Sequence, residues 1–101
     1  MRRPPVPAYL IVDTQIHDTV AYDRYKALAR PLAEKHGGEY LARGGALETL
    51  ESELWSPTRL VVIRFPDMAA ARAFAEDPDY APVKAIRLGA AKCTVAIIDG
   101  M

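Results

Sequence analysis

Residues Ala8 to Ile16 alternate with a period of two. Ala8, Leu10, Val12, Thr14 and Ile16 fall on one side, and Tyr9, Ile11, Asp13 and Gln15 on the other. An extended strand keeps such a pattern in register, and its apolar side must be covered. The cover follows at once. Asp18 is an N-cap for a helix over Thr19 to His36, along which Tyr22, Tyr25, Leu28, Ala29, Leu32, Ala33 and His36 recur at spacings of three and four. Pro31 lies within this pattern and predicts a kink or break at Arg30. Gly37-Gly38 supplies the stop.

Five further elements can be read. A second strand spans Glu39 to Arg43 and is closed by Gly44-Gly45; a short excursion, Ala46 to Leu54, leads to Trp55-Ser56-Pro57. A third strand, Arg59 to Phe65, places Leu60, Val62 and Arg64 opposite Val61, Ile63 and Phe65. Asp67 caps a helix with Met68, Ala71, Phe74 and Ala75 as its stripe. Asp77-Pro78 is expected to start another helix, Pro78 to Leu88, ending at Gly89 and burying Tyr80, Val83 and Ile86 or Arg87. Cys93 to Asp99 is the last strand. The order strand, helix, strand, strand, helix, strand is the ferredoxin-like plan, an α+β fold with a four-stranded antiparallel sheet. Right-handed crossovers put the helices on one side of it. The other side is expected to carry Ile11, Leu41, Val62, Val95 and Ile97, too apolar to stay wet. Two such sheets stacked face to face give a homodimeric α/β barrel. Residues 1–7 read as an N-terminal arm and 8–101 as one ferredoxin-like domain.

Composition narrows the function. Thirteen basic residues balance thirteen acidic ones, so no excess exists to neutralise phosphates, and nucleic acid is not an expected partner. Met1-Arg2-Arg3 resembles the start of a signal peptide, but Pro4, Pro5 and Pro7 replace the apolar stretch that should follow. The longest apolar runs are far shorter than the roughly 20 residues that span a bilayer. The expectation is a cytoplasmic protein with no membrane partner. One cysteine, Cys93, makes neither an intrachain disulfide nor a thiolate metal site. No metal or cofactor is expected, and the glycine pairs match no phosphate-binding loop.

Several segments resemble a small bacterial family known as domain of unknown function 1330. They are Ala8-Tyr9-Leu10-Ile11-Val12-Asp13, Tyr22 to Tyr25, the glycine-bracketed run from Gly37-Gly38 through Glu39-Tyr40-Leu41-Ala42-Arg43 to Gly44-Gly45, Arg59-Leu60-Val61-Val62-Ile63 followed by Phe65-Pro66, Asp79-Tyr80 and Arg87. The resemblance implies the dimeric α/β-barrel group, whose members include cofactor-free monooxygenases, lactone isomerases, haem proteins and stress proteins. It implies a fold and no particular reaction. Two positions depart from the family pattern. Arg64 stands where glutamate often precedes Phe-Pro, and Phe74-Ala75 where a Trp-Tyr pair is frequent. If these positions line a pocket, the ligand differs from that of the relatives.

Asp13, Arg43 and Arg64 are expected on the sheet side away from the helices, with Arg64 between the other two. One arginine could pair with Asp13 and leave the other for an acidic ligand; an ordinary interface ion pair is the plainer reading. His36 is an acid–base candidate by residue type, though a histidine in the last helical turn also suits the helix dipole. His17 reads as solvated. Asp13 is the other candidate base, a poor one if held between arginines. Tyr25 and Tyr80 could orient a ligand oxygen or simply be core. Arg87 is a second anion anchor if it points inward. Trp55 is expected to pack. Three functions follow: binding of a small acidic or oxygenated molecule in a pocket of the barrel, a cofactor-free isomerase or monooxygenase-like enzyme, and a non-catalytic assembly or stress protein.

Overall fold

Alternation along the first strand carries directly into three dimensions. In the computed structural model, which describes residues 6–101, β1 runs from Ala8 to Ile16 with Ala8, Leu10, Val12 and Thr14 all buried. Residues 1–5, including the Met1-Arg2-Arg3 start and most of the expected arm, lie outside the described residues. The order continues with α1 (Thr19–Lys35), β2 (Glu39–Arg43), β3 (Leu60–Phe65), α2 (Met68–Glu76), α3 (Ala81–Ala90) and β4 (Ala91–Asp99). The sheet is antiparallel throughout, in the order β2-β3-β1-β4. It is an open sheet with β2 and β4 at its edges; it does not close into a barrel within one chain. Leu10, Val12, Val61, Ile63 and Phe65 from the strands meet Ala29, Ala33, Ala71, Phe74 and Val83 from the helices. All the helices therefore cover one side of the sheet. A thickness of 19 Å matches one sheet layer plus one helix layer, so the other side is bare.

The helix starts follow the local chemistry. The Asp18 carboxylate accepts the Ala21 N–H at 3.0 Å and the Asp67 carboxylate that of Ala70 at 2.7 Å, each cap contributing about 1 kcal/mol. At the end of α1, Gly37 takes φ +83°, with its N–H donated to Glu34 and that of Gly38 donated to Ala33. This closes the helix with a Schellman turn. Pro31 does not break α1, contrary to expectation. Pro31 and Ala27, the residue whose carbonyl it leaves free, are both exposed. Water can satisfy that carbonyl while buried Ala29 and Ala33 hold the helix down.

Three other expectations need correction. First, α3 begins at Ala81, because Asp77 to Tyr80 forms a turn: Tyr80 donates its N–H to the Asp77 carbonyl and Asp79 donates to the Asp77 side chain, both at 2.9 Å. Gly89 does not end it; the helix reaches Ala90, whose carbonyl accepts the N–H groups of His17 and Asp18. Second, β4 pairs Ile97 with Leu10 and Val95 with Val12, so both lie on the helix side. The bare side instead carries Tyr9, Ile11, Leu60, Val62, Ala96 and Ile98. Third, β2 contains a bulge: Tyr40 pairs with Ile63 but Ala42 with Val62, so Leu41 is an extra residue. The bulge restores Arg43 to the helix side, opposite Val61. Arg43 therefore does not share a face with Arg64 and Asp13.

Gly44, just past the bulge, has φ +71°, and a Cβ there would lie 2.4 Å from Arg59 Nε. Gly44→Ala puts a side chain on a left-handed backbone and forces the Arg59 guanidinium to move aside. It should lower stability by at least about 1–2 kcal/mol, read as a shifted urea midpoint with unchanged slope.

Candidate functional site

Tyr22, Tyr25 and Lys26 sit on the sheet-facing stripe of α1, while Tyr80 stands at the start of α3, Lys84 in its first turn and Arg87 in its last. The bulge in β2 turns Tyr40 and Arg43 to the same side. These residues enclose a cavity of ≈ 110 Å³ above a floor of Leu10, Val12, Val61, Ile63 and Val95, with Phe74 and Ala75 of α2 completing the wall. The lining holds four phenols and four cationic side chains. Among the described residues no carboxylate and no histidine lines it.

Aromatic contacts shape the wall. Tyr22 and Tyr25 have ring centroids 5.3 Å apart, Tyr25 and Tyr80 6.4 Å, and Tyr80 and Phe74 4.6 Å. Such tilted pairs each contribute about 0.5–1.5 kcal/mol beyond area burial, which fixes the rings in place. The Tyr25 and Tyr80 hydroxyls are hydrogen-bonded at 2.8 Å. Burial first, and then the neighbouring Tyr80 hydroxyl, push the Tyr25 phenol well above its ordinary pKa, so it stays protonated and can donate. Burial raises the Tyr40 phenol too.

The cations are held differently. Arg43 stacks over the Tyr40 ring at 4.4 Å and donates from Nη2 to the Lys26 carbonyl at 2.8 Å. Lys26 and Arg43 are half-buried, while Lys84 is exposed at the rim. Arg87 is only 5% exposed. Burial alone would ease its proton off, but the adjoining Cys93 thiol and the Tyr80 hydroxyl outweigh that and hold it cationic. Among the described residues, no carboxylate lies within 4.0 Å of its guanidinium. A buried unpaired charge costs several kcal/mol in general, so this arrangement is not a neutral choice for stability.

Four of the residues singled out from sequence therefore meet at one cavity: Arg43, Tyr25, Tyr80 and Arg87. Asp13, Arg64 and His36 do not. Asp13 lies on the bare side of the sheet and ties down the β2–β3 connection, accepting from Trp55 Nε1 at 2.9 Å, Thr58 N at 2.9 Å and Arg59 N at 3.0 Å. Burial would raise its pKa, but these donors outweigh it and keep the carboxyl low. Arg64 is exposed opposite Tyr9, four residues along β3 from Leu60, the partner of Asp13. The expected Asp13–Arg64–Arg43 trio does not form. Trp55 is spent on the Asp13 contact. His36 caps α1, and its Nε2 lies 2.7 Å from Asp77 Oδ2. Of the departures from the family pattern, Phe74 and Ala75 line the cavity and Arg64 does not.

Sequence reasoning overlooked Arg59. Its Nη1 donates to the Thr14 hydroxyl at 3.4 Å and the Tyr22 hydroxyl at 3.3 Å, with the guanidinium 5.2 Å from the Tyr22 ring centroid. It supports the Tyr22 end of the wall. Its position at the start of β3, next to Leu60, was the available signal.

These features define an α+β chain of the ferredoxin-like kind, with a partly open cationic and phenolic cavity between sheet and helices. The chain belongs to the domain of unknown function (DUF1330) family, whose model matches residues 7–101. No curated protein matches the sequence. Among solved structures it is similar to a protein of unknown function from Rhodopseudomonas palustris, with 18% identity, TM-score 0.74, and 98% of this chain and 85% of that chain covered. It is also similar to a dimeric ferredoxin-like protein of unknown function from Jannaschia sp. CCS1 (20% identity, TM-score 0.67, 91% and 97% covered). A third is a cofactor-independent oxygenase from Streptomyces nogalater (9% identity, TM-score 0.69, 95% and 94% covered). At these identities the likeness is one of fold.

The Asp77 contacts give a pH test. The His36 ring, the Asp79 N–H and the Lys35 ammonium, in that order, lower the Asp77 carboxyl from 3.8 to about 2. A carboxyl depressed on folding adds stability that is fully present above its unfolded pKa and is lost as pH falls through its folded one. The wild-type urea midpoint should therefore fall between about pH 4 and pH 2 more steeply than that of Asp77→Asn, measured across the same buffers.

Proposed function

We propose that this chain is a homodimer that binds a small acidic or oxygenated organic molecule in the cavity between its sheet and its helices. The observation that carries the reading is the lining: phenols and cations around an aliphatic floor, with no carboxylate among the described residues. A purely structural core has little reason to gather positive charge around a cavity. That weighs against a protein serving only for assembly. Arg43, Arg87, Tyr25 and Tyr80 are the residues this reading assigns to the ligand. Small molecules released from freshly purified protein, identified by mass spectrometry, should include an organic acid or phenol. Arg43→Ala, which removes the guanidinium over Tyr40 from the wall, should weaken its retention, and retention unchanged by both Arg43→Ala and Arg87→Met would defeat the reading.

The second subunit belongs to the same proposal. The bare side of the sheet carries Tyr9, Ile11, Val62 and Ile98, the last 56% exposed, and stacked sheets pack about 10 Å apart. The Jannaschia relative is itself described as dimeric. Sedimentation should give twice the 11.1 kDa of one chain. Ile11→Lys, in the centre of that side, should leave a folded monomer. A cytoplasmic location is part of this reading; no helix among the described residues is long and apolar enough to cross a membrane.

Catalysis without metal or cofactor is a second reading, favoured by one observation. Protonated Tyr25 and the guanidiniums are donors suited to an enolate or phenolate as its charge develops. The lining offers no carboxylate or imidazole to take a proton, and His36 and Asp13 are engaged elsewhere. Binding is therefore the better supported of the two.

A further inference from the structure

Arg87 is the least expected residue in the molecule. A guanidinium this deeply buried is ordinarily matched by a carboxylate. Here no carboxylate stands within 4.0 Å of it among the described residues, and none lines the cavity it borders. The other lining cations lie nearer to solvent: Lys84 is exposed, and Lys26 has Asp23 at 3.7 Å. Arg43 is occupied by the Tyr40 ring and the Lys26 carbonyl. Arg87 alone combines burial with the lack of a counter-charge.

We infer that the counter-ion of Arg87 is the ligand, a compact monocarboxylate with one planar unsaturated or aromatic ring. This rests on the cavity being a binding site, as proposed above, and adds the chemical class and the anchor. The planar fork of donors fits a carboxylate by two parallel hydrogen bonds, which a single hydroxyl or carbonyl oxygen cannot reproduce. Space limits the body. An apolar cavity of roughly 150 Å³ holds benzene; at ≈ 110 Å³ this one is smaller but open on one side, so a single ring fits by reaching into the opening and a fused polycycle would stand largely outside. The rings of Tyr25, Phe74 and Tyr80, set at tilted angles, give that body edges and faces to pack against. The linked Tyr25 and Tyr80 hydroxyls share one donor between them, which leaves the other for a ligand oxygen.

Benzoate and benzamide form the test pair, equal in shape and differing in charge. Each is titrated into the full-length protein while backbone amide resonances are followed by NMR. Benzoate should shift the resonances of Tyr25, Tyr80 and Val83 to Arg87, and should bind about tenfold or more tighter than benzamide. Arg87→Met should bring the two probes to similar affinity, whereas Lys84→Met, at the rim, should keep the preference. Equal binding of both probes in the cavity of the wild-type protein overturns the anionic class and leaves the cavity reading standing. Absence of shifts at the cavity with either probe overturns the cavity reading and this inference together. A preference that survives Arg87→Met and disappears in Lys84→Met overturns Arg87 as the anchor. Should Arg87→Met not fold, Arg87→Lys replaces it; that variant keeps the charge without the fork and should retain only part of the preference.

Discussion

Strand β1 is the element on which everything else is registered. It is paired along its length with β4 and over Ala8 to Asp13 with β3, so both neighbours inherit its phase. Its even-numbered side chains pack into the core under the helices. A slip by one residue would drive Leu10, Val12 and Thr14 out and Asp13 in, which makes the register hard to change. From the opposite side, Asp13 holds the start of β3 through two backbone N–H groups. The carboxylate that looked like chemistry in the sequence is part of this frame. Its three donors order the end of a long, exposed connection whose tip leaves Leu50 91% and Leu54 99% exposed.

The cavity depends on one irregularity built on that frame. In a regular strand Tyr40 and Arg43, three residues apart, would lie on opposite sides of β2. The bulge sets both toward the helices, where the guanidinium covers the ring. Gly44 then turns the chain away in a conformation that leaves room for Arg59, which reaches across to Thr14 and Tyr22. The wall of the cavity is thus tied to a turn that a side chain at Gly44 would not fit.

How far these features can be read from the chain depends on whether the signal is local. The caps at Asp18 and Asp67, the Gly37-Gly38 stop and the phase of β1 and β3 are set by neighbouring residues, and all are found where expected. In β4 the run Val95-Ala96-Ile97-Ile98 is apolar at every position, so its phase comes only from pairing with β1. The bulge has no signature in Glu39 to Arg43, where three apolar residues between two charged ones set no phase; it exists only relative to β3. That single unreadable residue is why Arg43 was grouped with Asp13 and Arg64. Asp77-Pro78 has the composition of a helix start, yet its carboxylate is claimed by His36, Lys35 and the Asp79 N–H. The inward residues of the site, Tyr25, Tyr80 and Arg87, were legible because they share helical stripes, but only packing could say that they meet.

A net charge of zero conceals the distribution that matters. Four cations surround the cavity while acidic side chains cap helix starts, tie the β3 connection, or lie on exposed surface, as at Asp23, Glu34 and Asp79. Exposed pairs such as Arg30–Glu34 contribute about 0.3–0.5 kcal/mol and could be lost without consequence. The interior cation is a different matter, because desolvation is not relieved by a neighbouring acid. Its partial compensation by the Tyr80 hydroxyl and the Cys93 thiol keeps it charged without neutralising it. A fold under no functional constraint would do as well with methionine or leucine at position 87, so the retained charge is the feature of this chain that its own packing does not explain.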